Sequence, residues 1–222
     1  MAIHLYGLIL GRNAPRVRGR IAGIGGAEVT VLAAEPLVAL VSAHAASPSR
    51  ASLDDVRAHD DVLRLVVDMG ITVAASRFGQ RFPDEAVLRR HLADSADRIA
   101  AVLTSFDGAV EMRLLLPAGS DLLPPRAAEQ VPEDAGPGRA YLETLRSRVA
   151  APPVSLRAAL GPAVLSERVE YLAKSRGVAF AHLVQRENVP GYLEAVGSLP
   201  ALSDARVVGP LPLYSFAEPT GD

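Results

Sequence analysis

The segment from residue 117 to residue 138 constrains the fold of this chain most strongly. It contains five prolines and three glycines, a density that interrupts helix and strand periodicity alike. We therefore predict a linker or long loop there, which divides the 222 residues into an N-terminal domain over 1–108 and a C-terminal domain over 109–222. Each part is long enough to bury a core of its own.

The N-terminal part mixes strand and helix patterns. Ser52 with Asp55 three residues later is a typical helix start, and apolar residues recur at helical spacing until Gly70 provides a stop. Runs rich in β-branched and aromatic residues predict strands. We expect strands over 3–10, 28–32 and 37–41, a helix over 53–69, a short buried strand over 71–75 and a second helix over 83–106.

The C-terminal part has a more regular order of elements. We expect a strand over 110–116, helices over 139–149 and 154–165, strands over 169–173 and 178–184, a helix over 189–199 and a last strand over 205–216. The order strand, helix, strand, strand, helix, strand is that of a ferredoxin-like sandwich. The predicted class is α+β with two domains, an N-terminal α/β domain and a C-terminal ferredoxin-like domain with a Pro-rich tail over 209–222.

Composition excludes several classes of function. The formal net charge is −2, so the chain has no bulk attraction for nucleic acid or for an anionic membrane. The absence of cysteine excludes disulfides, Cys-based zinc sites and a thiol nucleophile. No segment approaches the roughly 20 apolar residues that a membrane helix needs, and no basic region precedes the first apolar stretch. We expect a cytoplasmic protein without a cofactor.

A dense acidic cluster with one histidine spans Asp54–Asp61. A His-Asp pair is typical of helix-borne metal sites in phosphohydrolases, and Asp55 and His59 share a helix face because they are four residues apart. The competing interpretation is structural, since His59 lies between Val56 and Leu63 on the apolar stripe. A metal site needs ligands from other elements, and no other histidine is followed by aspartate. We therefore expect a structural role and no metal.

Other signals of chemistry are weak. Gly23–Gly26 could be a phosphate-binding loop, but such a loop needs a following helix, and here a strand pattern follows. A flexible turn is the better interpretation. The chain has no Gly-x-Ser-x-Gly elbow and no His-Glu-x-x-His motif, so we predict no catalytic residues.

Two segments carry residue types that are common at protein interfaces. Arg77–Phe82 pairs two arginines with two phenylalanines between a predicted strand and a predicted helix. This loop either anchors a partner or places its phenylalanines in the core while its arginines reach water. Gly209–Phe216 combines two prolines with two aromatic residues, so it is an edge strand or an extended tail. This tail either packs on the N-terminal domain of the same chain or contacts a partner.

Short motifs along the chain resemble the gas vesicle accessory proteins of the GvpF/GvpL family. The motifs occur in family order and end in Gly-Pro-x-Pro-x-Tyr-Ser-Phe. They are Leu5-Tyr6-Gly7, Val41-Ser42, His59 with Val62-Leu63, Arg77-Phe78-Gly79, Glu111, Tyr141-Leu142 and Gly209–Phe216.

The resemblance implies a non-enzymatic accessory protein and minor component of the gas vesicle. It implies that the chain binds the small hydrophobic shell protein, and other accessory gas vesicle proteins, and limits shell-protein aggregation during vesicle nucleation. Candidate partner-binding residues are Arg77, Phe78, Tyr214 and Phe216. Two alternatives stay open: a small-molecule-binding regulatory module of ferredoxin-like fold, and a metal-dependent hydrolase that uses Asp54–Asp61.

Overall fold

A computed structural model describes four ranges of the chain, namely residues 2–44, 52–117, 155–172 and 177–217. Within these ranges the chain forms two antiparallel sheets and five α-helices. The predicted α+β class is therefore confirmed. The chain divides into two compact units, the first made of residues 1–112, 183–186 and 209–222, and the second of residues 113–182 and 187–208.

The strands and helices are numbered separately in chain order. The strands are β1 Ala2–Leu10, β2 Val29–Ala34, β3 Leu37–His44, β4 Ala74–Ala75, β5 Arg81–Phe82, β6 Ala109–Leu116, β7 Val164–Leu172, β8 Gly177–Gln185 and β9 Arg206–Leu211. The helices are α1 Leu53–Asp68, α2 Glu85–Ala93, α3 Ala96–Ser105, α4 Arg157–Leu160 and α5 Val189–Ser198.

The first sheet has the strand order β2-β3-β1-β4, and β5 also pairs with β1. Strands β1 and β3 pair antiparallel from Ala2 opposite His44 to Leu10 opposite Leu37. Residues 4–10 of β1 are all buried, as expected for a central strand covered on both faces. The register shifts between Leu5 and Gly7, which marks a bulge in this strand.

Helix α1 begins at the predicted capping box. The Ser52 hydroxyl accepts a hydrogen bond from the Asp55 backbone N–H, and the Asp55 carboxylate accepts one from the Ser52 backbone N–H. The buried face carries His59, Val62, Leu63, Val66 and Val67, which recur at the spacing of a single helix stripe.

The long helix predicted over 83–106 is two helices, α2 and α3. The break lies at Asp94 and Ser95, where the Ser95 backbone N–H and hydroxyl donate to the Leu92 carbonyl at 3.0 and 3.3 Å. Serine bonds of this local kind compete with the regular helix ladder. The apolar stripe predicted the buried positions, including Leu88, Leu92, Ile99 and Leu103, but it did not predict the break.

The second sheet has the strand order β7-β8-β6-β9. Strand β8 is buried along its whole length except at Gln185. The helix predicted over 154–165 is wrong in its second half, because α4 ends at Leu160, Gly161 has a φ of 71° and strand β7 starts at Val164. The helix predicted over 139–149 lies outside the described residues. No helix in the described ranges is both long and apolar enough to span a bilayer.

Candidate partner-binding site

The C-terminal tail, here residues 209–217, packs inside the first unit. Strand β9 ends at Leu211, and Leu213 then forms a parallel bridge with Ala74, its backbone N–H donating to the Val73 carbonyl at 3.0 Å. Leu213 and Phe216 are 1% and 4% exposed. The tail thus extends the first sheet beyond β4 and buries its apolar side chains there.

A buried carboxylate fixes the tail to β6. Glu111 is fully buried and accepts hydrogen bonds from the Ser215 backbone N–H at 2.7 Å and from the Ser215 hydroxyl at 2.9 Å. Glycine is favoured at position 209 nearby, because its φ is 149° and a Cβ there would lie 3.0 Å from the Glu111 carbonyl oxygen. Close backbone approach and a buried acceptor therefore explain the Gly and the Ser of the terminal motif.

Helix α1 holds the tail through a second carboxylate. The Tyr214 hydroxyl donates to Asp60 Oδ1, and Arg64 Nε donates to Asp60 Oδ2 at 2.5 Å. Burial, and then the hydrogen bond to Asp60, raise the pKa of Tyr214 above its ordinary value, so the phenol stays a protonated donor. The hydrogen bond to Asp60 raises the pKa of Arg64, so the guanidinium stays charged.

His59, the residue before Asp60 on α1, lies in a buried polar pair with His4. His59 Nδ1 is 2.9 Å from His4 Nε2, and His59 Nε2 is 3.3 Å from the Ser76 carbonyl. A carbonyl can only accept, so His59 carries its proton on Nε2 and accepts from His4 Nε2–H. Burial lowers the pKa of His59, against the opposing effects of Ser76 and Asp60. His59 is thus a neutral core residue, as the structural interpretation predicted.

The segment Arg77–Phe82, here the Arg-Phe loop, rests on this histidine pair. The Phe78 ring lies 5.6 Å from the His59 ring and 6.1 Å from the His4 ring, measured between centroids. Phe82 is 9% exposed, whereas Arg77 and Arg81 are exposed and Phe78 is half-buried. The loop presents two exposed arginines beside a half-buried aromatic ring that packs on the histidine pair.

The glycine-rich segment Gly23–Gly26 is a structural turn around Tyr6. The buried Tyr6 hydroxyl accepts from the Ile24 backbone N–H at 2.9 Å and is hydrogen bonded to the Ser42 hydroxyl at 2.9 Å. A Cβ at Gly23 would lie 2.0 Å from the Tyr6 oxygen. The absence of a side chain at Gly23 lets the backbone reach this phenol.

The aspartates of the acidic cluster Asp54–Asp61 have different structural roles. Asp54 pairs with Arg57 at 3.1 Å, Asp55 caps α1 and Asp60 binds the tail. Among the described residues, no group of three or more His, Asp or Glu side chains is placed to hold a metal ion. In the described geometry Asp54, Asp55 and Asp60 take part in ion pairing, helix capping and hydrogen bonding.

The four candidate partner-binding residues lie in different settings. Arg77 and Phe78 belong to the accessible loop, Tyr214 is half-buried on Asp60, and Phe216 is buried with its ring 6.4 Å from the Phe106 ring. Partner binding by these residues stays a prediction. Sequence reasoning missed the tail-binding roles of Asp60 and Glu111; a glutamate inside the apolar run 109–116 was the available signal.

Comparison with known proteins decides the family. The sequence profile of the gas vesicle synthesis protein GvpL/GvpF matches residues 2–218. This chain belongs to the GvpL/GvpF family. No curated protein gives a significant match to this family member.

Solved structures support the same fold for this GvpL/GvpF family member. The crystal structure of gas vesicle protein GvpF from Microcystis aeruginosa is similar with a TM-score of 0.69 at 18% identity, covering 98% of this chain and 99% of that one. The GvpF structure from Anabaena sp. PCC7120 also gives a TM-score of 0.69, at 15% identity and 98% coverage of both chains. The family is one of gas vesicle structural or assembly proteins, which implies association with gas vesicle components.

Proposed function

We propose that this protein binds the hydrophobic gas vesicle shell protein and limits its aggregation while vesicles nucleate and assemble. It acts by binding, without catalysis, in the cytoplasm at the growing vesicle, together with other accessory gas vesicle proteins. The observation that carries the proposal is the Arg-Phe loop in a chain whose family profile spans residues 2–218. A half-buried aromatic ring flanked by exposed arginines is the composition of a binding hot spot.

The proposal follows from the physical problem that shell assembly poses. A subunit that faces gas must carry apolar surface, and before assembly that surface would be exposed to water and would aggregate. An accessory protein can prevent this by covering the apolar surface with aromatic side chains and keeping charged groups at the rim. Phe78 supplies the aromatic contact, and Arg77 and Arg81 supply the exposed rim.

We propose that Tyr214 and Phe216 contribute to partner binding indirectly, through the residues on which the Arg-Phe loop and the tail pack. Phe78 packs on His59, and the next residue, Asp60, holds Tyr214. Because His59 and Asp60 are consecutive on α1, the tail and the loop depend on the position of the same helical turn. We propose that Arg77 and Phe78 touch the shell protein, while Tyr214 holds the tail on α1 and Phe216 holds it against Phe106.

The experiment is co-expression of this chain with the shell protein, followed by measurement of the soluble fraction of shell protein and its co-purification. The wild-type chain raises the soluble fraction of shell protein and co-purifies with it. Arg77→Ala with Phe78→Ala removes the effect. The melting temperature of this variant falls, because the Phe78 ring packs on His59, but it stays above the temperature of the experiment, which separates lost binding from unfolding. Arg57→Ala is the matched control, because Arg57 is an exposed arginine paired only with Asp54, and it retains the effect. Equal shell-protein solubility with and without the wild-type chain would overturn the proposal.

We also propose the division into domains over 1–108 and 109–222, with a ferredoxin-like arrangement of the second. The strand order β7-β8-β6-β9 supports this arrangement. In this order β6, the first of the four strands along the chain, lies between β8 and β9, the third and the fourth. Helix α5 connects β8 to β9. The metal-dependent hydrolase is not proposed, because Asp54, Asp55 and Asp60 have the structural partners described above.

A further inference from the structure

Two arginines meet at the C-terminal end of α1 within the first unit. Arg16 Nη2 donates to the carbonyls of Met69 and Gly70 at 3.3 and 3.0 Å. Arg186 Nη2 donates to the Val67 carbonyl at 2.5 Å. The last carbonyls of a helix have no partner within the helix and carry its negative dipole end. Both guanidinium groups are therefore held at the C-terminal end of α1, although they repel each other.

This pair of arginines lacks a carboxylate partner. Within the described ranges, no Asp or Glu side chain makes an ion pair with Arg16, Arg18 or Arg186. Burial, and then the charge of Arg16, lower the pKa of Arg186, whereas nearby Asp68 raises it. Two other arginines of the same segment are paired, Arg12 with Asp107 at 2.9 Å and Arg20 with Glu28 at 3.7 Å.

Two buried donors at this place have no acceptor among the described residues. Asn13 is 5% exposed and its Oδ1 accepts from Arg16 Nη1 at 3.2 Å, but its Nδ2 has no partner. Arg186 Nε is also buried without a partner. Buried donors are rarely left unsatisfied, because their desolvation is then uncompensated. The cluster combines unmatched donors with two guanidinium groups that make no ion pair among the described residues, although Asp68 lies near Arg186, so an anionic acceptor would be favoured there.

We propose that Asn13, Arg16 and Arg186, here the arginine cluster, bind a carboxylate presented by an acidic segment of a partner protein. The planar guanidinium fork matches the two oxygens of a carboxylate. A neutral amide donor and the nearby Asp68 suit a singly charged group better than a doubly charged phosphate. Arg18, exposed on the same segment, extends the positive surface for neighbouring acidic residues. The proposal goes beyond shell-protein binding, since it does not involve Arg77 or Phe78.

The first test is fluorescence anisotropy of a labelled short polyglutamate peptide with the full chain at low ionic strength. Arg16→Gln with Arg186→Gln weakens binding by about tenfold or more, because both guanidinium groups are lost from the site. Arg12→Gln with Arg20→Gln removes the same two charges from arginines that are already paired, and it weakens binding by less than about threefold. Equal weakening by both double variants, or no binding to wild type, overturns the proposal.

A second variant keeps the test valid if the double variant unfolds. Asn13→Asp places a carboxylate oxygen where the unsatisfied Nδ2 lies, so the chain supplies its own acceptor. It raises the melting temperature and weakens peptide binding by about tenfold or more, whereas Arg20→Gln changes the net charge equally with neither effect. A lower melting temperature with unchanged peptide affinity contradicts the proposal.

Competing anions separate the carboxylate from other ligands. Free glutamate displaces the peptide from the wild-type chain at a lower concentration than inorganic phosphate does at equal ionic strength. Displacement by phosphate at the lower concentration overturns the assignment of a carboxylate. Co-purification with the shell protein is measured separately on the same Arg16 and Arg186 double variant. Since the arginine cluster and the Arg-Phe loop are altered independently, failure of one proposal is distinguishable from failure of the other.

Discussion

Ser215→Ala tests how strongly the tail is fixed to β6. The substitution deletes the hydroxyl donor 2.9 Å from Glu111 and leaves the backbone N–H donor at 2.7 Å in place. A hydrogen bond to a carboxylate contributes about 1.5–3 kcal/mol, and Glu111 is fully buried, so the loss of one donor is felt strongly. We expect the free energy of unfolding to fall by about 2 kcal/mol. For a chain of this size that is a decrease in melting temperature of roughly 4–8 °C.

The assay is thermal unfolding followed by circular dichroism and by calorimetry. Ser105→Ala is the matched control, because the Ser105 hydroxyl is exposed and bonds only to the Ala101 carbonyl of its own helix; it changes the unfolding free energy by less than about 0.5 kcal/mol. In a Glu111→Gln background, Ser215→Ala costs only about 1 kcal/mol, since the remaining bond is neutral. A Ser215→Ala protein with the melting temperature of the wild type would refute the reasoning. So would a loss of unfolding free energy on Ser215→Ala that is the same with and without Glu111→Gln.

Three further outcomes are expected. Gly23→Ala lowers the free energy of unfolding by about 2 kcal/mol or more, because its Cβ would lie 2.0 Å from the Tyr6 oxygen; a melting temperature at or above wild type contradicts this. Gly191→Ala, on α5 with nothing within 4 Å of the new Cβ, raises that free energy by about 0.5–1 kcal/mol, and a decrease would count against the helix assignment. His59 titrates below 6.5, because burial lowers its pKa. Below pH 6.5 the unfolded chain therefore binds the proton before the folded chain does, so the free energy of unfolding falls on acidification. An NMR titration midpoint of His59 at or above 6.5 contradicts this prediction.

Local signals in the sequence predicted most elements of the fold. The start of α1 followed from Ser52 and Asp55, and the buried character of His59 followed from its spacing to Leu63. These predictions succeeded because capping and amphipathic spacing act between residues a few positions apart. The predicted apolar stripe was wrong at its N-terminal end, because Val56 is 41% exposed. The break between α2 and α3 was not predicted, because Ser95 is compatible with a helix interior and its bond to Leu92 depends on the surrounding packing.

The tail and its acceptors could be predicted only in part. The prolines of 209–216 indicated an extended segment docked at an edge, and Leu213 does extend the first sheet next to Ala74. The partners of Tyr214 and Ser215 could not be predicted, because Asp60 and Glu111 are more than a hundred positions earlier in the chain. Asp60 had a sufficient local partner in Arg64, so nothing in its neighbourhood indicated a second one.

The central claim is that this chain covers apolar surface of the unassembled shell protein. The most direct measurement is light scattering after purified shell protein is diluted from denaturant into buffer that contains the chain. We expect wild-type chain to suppress scattering in a concentration-dependent manner, and the chain with Arg77→Ala and Phe78→Ala to suppress it much less. Scattering that is the same with wild-type chain, with the double variant and with no added chain would contradict the claim.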